Sequence, residues 1–330
     1  MAAVGLVGFA GVVVFGLLYV VFFFRGASLK LPVIGMAVFA LMVAAAAVLP
    51  RLELTLPEFP AIGGKPSQTE RVESPGVEES RPPENAGFPR QVLLDKRGLV
   101  ITATGLDENG AQGPALNLSI QNRSETNVIV QAFDASVNGC MIDASFSAAV
   151  SAGHEANVSI VFSASGIQKS GIETIAELEF SFRVLDRNRI TFLESGAVTV
   201  RTPAANTYQS RFDDSGEELF NGNGVRIVSR GFDRAGSVFG PELVLFIENT
   251  TDRAITVQAK DVLVNGMAVD TISSEDVLPG KRSVAAITIM DVSLEYHNIK
   301  EIRNMKFYLR VVDRDRGVTL FDTESFTLVV

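Results

Sequence analysis

The sequence predicts an all-β chain, two tandem antiparallel sandwiches preceded by a two-helix transmembrane hairpin. Three observations predict it. The stretch from Gly113 to Asp186 occurs again, without a gap, as Gly240 to Asp313. Within each copy apolar and polar residues alternate, the period of a half-buried strand. Ahead of both copies lie two apolar runs of the length a helix needs to cross a bilayer.

The repeat is taken first because it fixes the number of modules. Its signposts keep a constant spacing: Gly113-Pro114 and Gly240-Pro241, Asn122 and Asn249, Val137-Asn138-Gly139 and Val264-Asn265-Gly266, Arg183-Val184 and Arg310-Val311. In a chain of 330 residues this sets two sandwich modules, at 91–201 and 219–330. A domain of such a size buries an adequate core without disulfides. Cysteine occurs once, as Cys140, and its counterpart is Met267. That exchange suggests a small buried apolar position, and one thiol builds neither a disulfide framework nor a zinc site.

Charge is uneven. The net charge is −9, but residues 1–49 contain Arg25, Lys30 and no acid, so the remainder stands at 27 − 38 = −11. This balance argues against nucleic acid as a partner, which needs a basic face.

Taken in order, residues 2–24 are apolar or small apart from Tyr19, and 31–49 form a second apolar run after the short loop Arg25–Lys30. The two predict a helical hairpin, residues 1–49, with the lipid bilayer as its partner. No basic leader precedes the first run, which argues against a cleaved signal peptide. Lys and Arg in short loops stay on the cytoplasmic side. With Arg25 and Lys30 in the loop, both ends of the hairpin and the C-terminal modules are expected to be extracytoplasmic. Residues 50–90 carry eight prolines among Gly, Ser and Glu, with no apolar period. Such a segment cannot bury enough surface to offset its ordering entropy, and is expected to be an extended, disordered tether.

Within the first copy Leu116, Leu118 and Ile120 alternate with Asn117, Ser119 and Gln121, and Leu178, Phe180, Phe182 and Val184 alternate with polar residues. The second copy matches them with Leu243, Leu245 and Ile247 and with Met305, Phe307, Leu309 and Val311. One dry and one wet face mean antiparallel sheets. Asn138-Gly139 and Asn265-Gly266 predict type I′ hairpin turns. Ile172 and Ile175, like Ile299 and Ile302, have i, i+3 spacing, which predicts a short helical turn leading into the next strand. About seven short strands per module, with turns every eight to twelve residues, is the pattern of an immunoglobulin-like sandwich, here without the paired Cys and buried Trp of a true immunoglobulin domain. Residues 202–218 read as a linker. The chain is expected to stop on the last strand at Val330, with no sorting signal, so that anchorage falls to the hairpin.

The chemistry-bearing residues are sparse. His154 and His297 sit at non-equivalent places, and no HExxH, GxSxG or P-loop spacing occurs. No catalytic, cofactor-binding or metal-binding residues are assigned, and an enzyme is not expected. Asp213-Asp214 and Asp313-Arg314-Asp315-Arg316 invite calcium, but the interleaved arginines favour salt-bridged turns. The copies differ where Asn117, Ser119 and Ser136 become Val244, Phe246 and Leu263. Either these three give the second copy an extra apolar contact face, or its own second sheet or linker covers them.

At Ile247–Gln258, Val264-Asn265-Gly266 and Pro279-Gly280-Lys281 the chain resembles a module of uncharacterised, membrane-anchored surface proteins of Gram-positive bacteria. Copy one departs from that pattern at Ala152-Gly153-His154. Relatives of this kind often carry a cytoplasmic zinc ribbon before the membrane span, and the Cys pairs for one are missing here. The resemblance implies an extracytoplasmic immunoglobulin-like fold and carries over no functional residues. The expectation is a non-enzymatic binding or spacer protein at the cell membrane, contacting an unknown protein or envelope ligand. The alternative is an accessory or sensory subunit of a membrane transporter or envelope enzyme complex.

Overall fold

In the first copy the chain forms β1 (Gln91–Lys96), β2 (Leu99–Asp107), β3 (Ala115–Asn122), β4 (Val128–Val137), β5 (Cys140–Met141), β6 (Ala144–Ser145), β7 (Ser147–Val150) and β8 (Glu155–Phe162), then helix α1 (Ala164–Lys169), β9 (Glu177–Asp186) and β10 (Thr191–Arg201). The second copy forms β11 (Glu217–Gly222), β12 (Val225–Ser237), β13 (Gly240–Asn249), β14 (Ile255–Val264), β15 (Met267–Ala268), β16 (Thr271–Ile272), β17 (Glu275–Val277) and β18 (Arg282–Ile289), then α2 (Asp291–Tyr296), β19 (Asn304–Asp313), β20 (Val318–Asp322) and β21 (Phe326–Val329). The structure is a computed structural model and describes residues 88–330. The repeat offset, 240 − 113 = 127, carries β4 onto β14, β8 onto β18, α1 onto α2 and β9 onto β19 residue for residue.

Each copy is two antiparallel layers around its own core. In copy one the layers are β1-β2-β3-β8-β6 and β10-β9-β4-β5, with β7 also on β4. In copy two they are β11-β12-β13-β18-β16 and β15-β14-β19-β20, with β17 on β14 and β21 on β19. The alternating residues meet between them. Leu116, Leu118, Ile120, Phe180 and Phe182 are buried in one cluster, and Leu245, Ile247, Phe307, Leu309 and Val311 in the other. Burying one such side chain stabilises by about 2 kcal/mol. In the first core the Phe180 and Phe182 rings meet edge-on at 5.2 Å, an arrangement aromatic quadrupoles favour.

The Asn-Gly pairs make the expected turns, with φ of 51° and 79° at Asn138-Gly139 and 51° and 81° at Asn265-Gly266. Their side chains have a second task. Asn138 donates to the Thr174 carbonyl at 2.7 Å and accepts from the N–H groups of Ala176 and Glu177. Asn265 does the same with Glu301, Arg303 and Asn304. This overturns the helical turn expected at the paired isoleucines. The backbone groups that would close such a turn go to the asparagine instead, and 172–176 and 299–300 carry no helix. The helix of each copy lies one step earlier, at α1 and α2. In α1 it is started by Ser163, whose hydroxyl accepts from the Gly166 N–H.

A second asparagine is equally constant. Asn122 and Asn249 are buried. Asn122 donates to the carbonyls of Thr126 and Val150 and accepts from Ser124. Asn249 donates to those of Arg253 and Val277 and accepts from Thr251. A fully satisfied polar group tying three segments together is a price a core accepts for a fixed arrangement.

Among the described residues no helix is long and apolar enough to cross a membrane. The runs 2–24 and 31–49, and the tether except for 88–90, lie outside the described residues.

Candidate functional site at the junction and the free end

The copies are joined by their own edges. Strand β5 lies beside β4 in copy one and also pairs, in parallel, with β18 of copy two at Cys140 and Arg282. A layer of each copy therefore continues into the other as a ten-stranded sheet. The Arg282 N–H donates to the Gly139 carbonyl at 3.0 Å, so the Asn-Gly turn of copy one is what meets copy two.

Charges flank this seam. Arg314 grips Asp134 with both terminal guanidinium nitrogens, at 2.6 and 3.0 Å. Lys281 lies 2.8 Å from Glu179, and Lys169, at the end of α1, lies 2.6 Å from Glu242. Glu242 is 4% exposed and also accepts from the Thr288 hydroxyl. A buried carboxylate needs such partners because leaving one uncompensated costs several kcal/mol. Asp134 takes a φ of 55°, a left-handed conformation that Asp adopts more readily than most residues, and its counterpart Asp261 takes 51°.

The linker completes the seam. Its Phe212 stacks on Phe246 with centroids 5.9 Å apart and planes 12° from parallel, while the Arg282 guanidinium sits over the Phe212 ring, 3.9 Å from its centroid. Asp213 binds Arg230 at 2.7 Å and Asp214 binds Arg226 at 2.8 Å. These aspartates, weighed above as calcium ligands, are turned onto arginines, and Asp134 takes up Arg314 in the same way.

The three residues singled out from the sequence do not gather into one patch. Phe246 is 1% exposed beneath Phe212. Val244 is half-buried on the same face of β13, and Leu263 is half-buried on β14, in the other layer. The linker covers Phe246 because a large apolar ring on an outer sheet face needs a lid, which Ser119 of copy one does not. Cys140 is half-buried at the seam, its thiol 3.4 Å from the Ser170 hydroxyl, and burial pushes the thiol pKa up. Met267 is 45% exposed. The expected small buried position therefore holds for neither copy: copy one uses it to meet a neighbour, and copy two leaves it open. His154 is exposed in a turn, with Nδ1 2.8 Å from the Ala152 carbonyl, and His297 is half-buried at the end of α2.

Two features escaped the sequence reading. One is a cleft of about 510 Å³ beside the seam, lined by Asp134, Asp143, Ser170, Glu275, Asp276 and Ser283. Burial raises the Glu275 carboxyl above its ordinary pKa, Asp143 and Asp276 push the same way, and a hydrogen bond from the Ser283 hydroxyl opposes them. The other is the free end of copy two. Val238, Phe239, Val292 and Tyr296 are exposed there, Tyr296 by 83%. The Asp291 N–H donates to the Phe239 carbonyl at 2.9 Å, which brings the β12–β13 turn against α2. The counterparts in copy one are Ala111, Gln112, Ser165 and Lys169. The signal lay in the copy-to-copy comparison, in turns and a helix rather than in the strands.

No protein-family model matches this chain, and no curated protein matches it closely in sequence. Solved structures similar to it include the YadV chaperone, at 11% identity and a TM-score of 0.22, covering 71% of this chain and 100% of that one. The Salmonella enterica SafA pilin in complex with the SafB chaperone follows at 12% and 0.23, covering 72% and 98%. A protein of unknown function from Porphyromonas gingivalis stands at 8% and 0.20, covering 71% and 100%. Similarity at these scores assigns no role to any residue here.

Proposed function

We propose that this chain is a non-enzymatic contact protein: a membrane hairpin at 1–49 and a tether at 50–90 present two immunoglobulin-like sandwiches, joined into one rigid body, outside the cytoplasmic membrane. The observation that carries this reading is the seam. A shared sheet edge, three flanking ion pairs and a linker lid leave the two modules no free hinge, and a rigid pair holds its two ends at a fixed distance from each other. The apolar residues at the free end of copy two are what a contact surface supplies, since exposed apolar clusters mark interaction sites.

Two measurements test it. Spin labels at Glu125→Cys and Glu301→Cys, in a Cys140→Ala background, are expected to give a narrow distance distribution. A broad one, as from two independently tumbling modules, would remove the rigid body on which the reading stands. Protease added to intact cells is expected to cut between Lys65 and Arg90, and cutting only after lysis would reverse the proposed placement.

A further inference from the structure

We infer that the free end of copy two is a docking surface for copy one of a second molecule, so that chains associate head to tail by repeating the contact already made within each chain. This names the partner of the contact protein proposed above and rests on that reading. The ground for it is the seam itself. Copy one meets its neighbour with the Asn138-Gly139 turn, the end of α1, Asp134 and Glu179. Copy two carries the same elements at Asn265-Gly266, α2, Asp261 and Lys306, and there they face solvent. The receiving end of the seam, Arg282, Lys281, Glu242 and Arg314, has its counterpart in Glu155, His154, Ala115 and Arg187 of copy one. Of these four, all but the half-buried Ala115 are exposed.

Placed in the geometry of the seam, these groups fit. Asp261 meets Arg187 where Asp134 meets Arg314, and neither Asp261 nor Arg187 makes an ion pair among the described residues. Tyr296 meets Ala115 where Lys169 meets Glu242, an apolar contact replacing a charged one. Lys306, which stands where Glu179 does, faces His154 and the adjacent Glu155, and the acid supplies its opposite charge. The backbone matches as well. Glu155 is opposite Gln121 in the register that sets Arg282 opposite Glu248, so its N–H stands where the Arg282 N–H reaches a turn carbonyl. Finally, copy one needs no lid at this end. Where Phe246 must be lidded by Phe212, copy one has Ser119, already bonded to Glu155 at 2.7 Å.

Each chain offers one end of each kind, so the contact is heterologous and does not close on itself. Sedimentation of the full chain in detergent reads it. The wild-type chain is expected to associate progressively with concentration. Arg187→Asp and Asp261→Arg should each weaken the association by about tenfold, as expected for a paired charge turned into a like-charge clash. The chain carrying both, whose swapped charges again face each other, should recover most of the loss. Arg187→Asp should keep the wild-type melting temperature, since the position lies away from the seam, whereas Asp261→Arg and the double substitution should melt slightly and equally lower, because arginine takes the left-handed φ of 51° less readily than aspartate. A wild-type chain that stays monomeric overturns the inference and leaves the end to a different partner. So does association that all three substitutions leave untouched, which would place it in residues 1–49, or a double substitution no stronger than the single ones. A narrow spin-label distribution alongside any of these results would retain the rigid contact protein while removing this partner.

Discussion

The Asn138–Cys140 end of copy one and the Asn265–Met267 end of copy two are built on the same Asn-Gly turn, yet one is inside the molecule and the other outside. Around the first stand Lys169, Glu179 and Asp134, all paired with groups of copy two. Around the second stand Tyr296, Lys306 and Asp261, all exposed. The interiors hardly differ, because a sandwich core tolerates little change in volume or pattern. The difference teaches that these modules diverged at the surfaces where each meets its neighbour, and that the seam is the place to perturb.

The largest effect is expected from Phe246→Ser. It deletes a ring held between its own sheet and Phe212 and leaves a cavity under the lid, which should lower the stability of residues 88–330 by about 3 kcal/mol. The urea midpoint reads this. An unchanged midpoint would mean that the linker does not seal the seam, and the contrast between the two ends would lose its main support.

Next come Asn122→Ala and Asn249→Ala. Each removes a buried amide and strands the carbonyls it served, at a cost of about 2 kcal/mol. Here the comparison predicts equality, because the two networks match bond for bond. Unequal urea midpoints for the two variants would show that the modules differ in their interiors too.

Asp134→Asn and Asp261→Asn should differ instead. Asparagine keeps the left-handed backbone that both positions need, so the substitution removes charge alone. At Asp134 the bidentate pair with Arg314 is about a fifth exposed on each side. Solvent screening reduces its worth to about 1 kcal/mol. At Asp261 the cost should be near zero in the isolated chain. Equal losses at the two sites would mean that the Arg314 pair adds nothing to the seam.

How much of this was legible in the sequence follows from what each feature depends on. The layers, the alternating cores at Leu116–Ile120 and Leu178–Val184 and the Asn-Gly turns rest on local pattern, and pattern is what a sequence displays. The paired isoleucines misled because their spacing is helical, while the decision was made by Asn138, 34 residues earlier than Ile172 (172 − 138 = 34). Phe246 was legible as a departure between copies, but not its lid, because nothing local ties Phe212 to it. The strands drew attention to Val244 and Leu263, whereas the exposed departures fall in a turn and a helix, at Phe239 and Tyr296. The seam was illegible for a plainer reason: a parallel pairing of Cys140 with Arg282 joins residues from different modules, and it leaves no period in either.

The smallest effect is the one that depends on pH. Glu275 has Ala148 as its counterpart, so it is a charge that copy two alone places in the cleft beside the seam. Burial first, and then Asp143 and Asp276, raise its pKa in the folded chain above the unfolded value, and Ser283 offsets part of this. Between those two values the folded state binds the proton that the unfolded state has released. Stability therefore falls as pH rises from the ordinary carboxylate range through the folded-state value, and is regained as the carboxyl protonates. Glu275→Gln holds the neutral form at every pH. It should flatten this slope while keeping the bond to Ser283, since the amide oxygen still accepts from the hydroxyl. Above the window the variant should be as stable as the wild type or slightly more so, and below it the two should converge. Urea unfolding of both proteins across that range reads the difference. An unchanged slope would mean that the cleft is wet enough to screen its carboxylates, in which case the charge that copy two brings there has no bearing on how firmly the modules are joined.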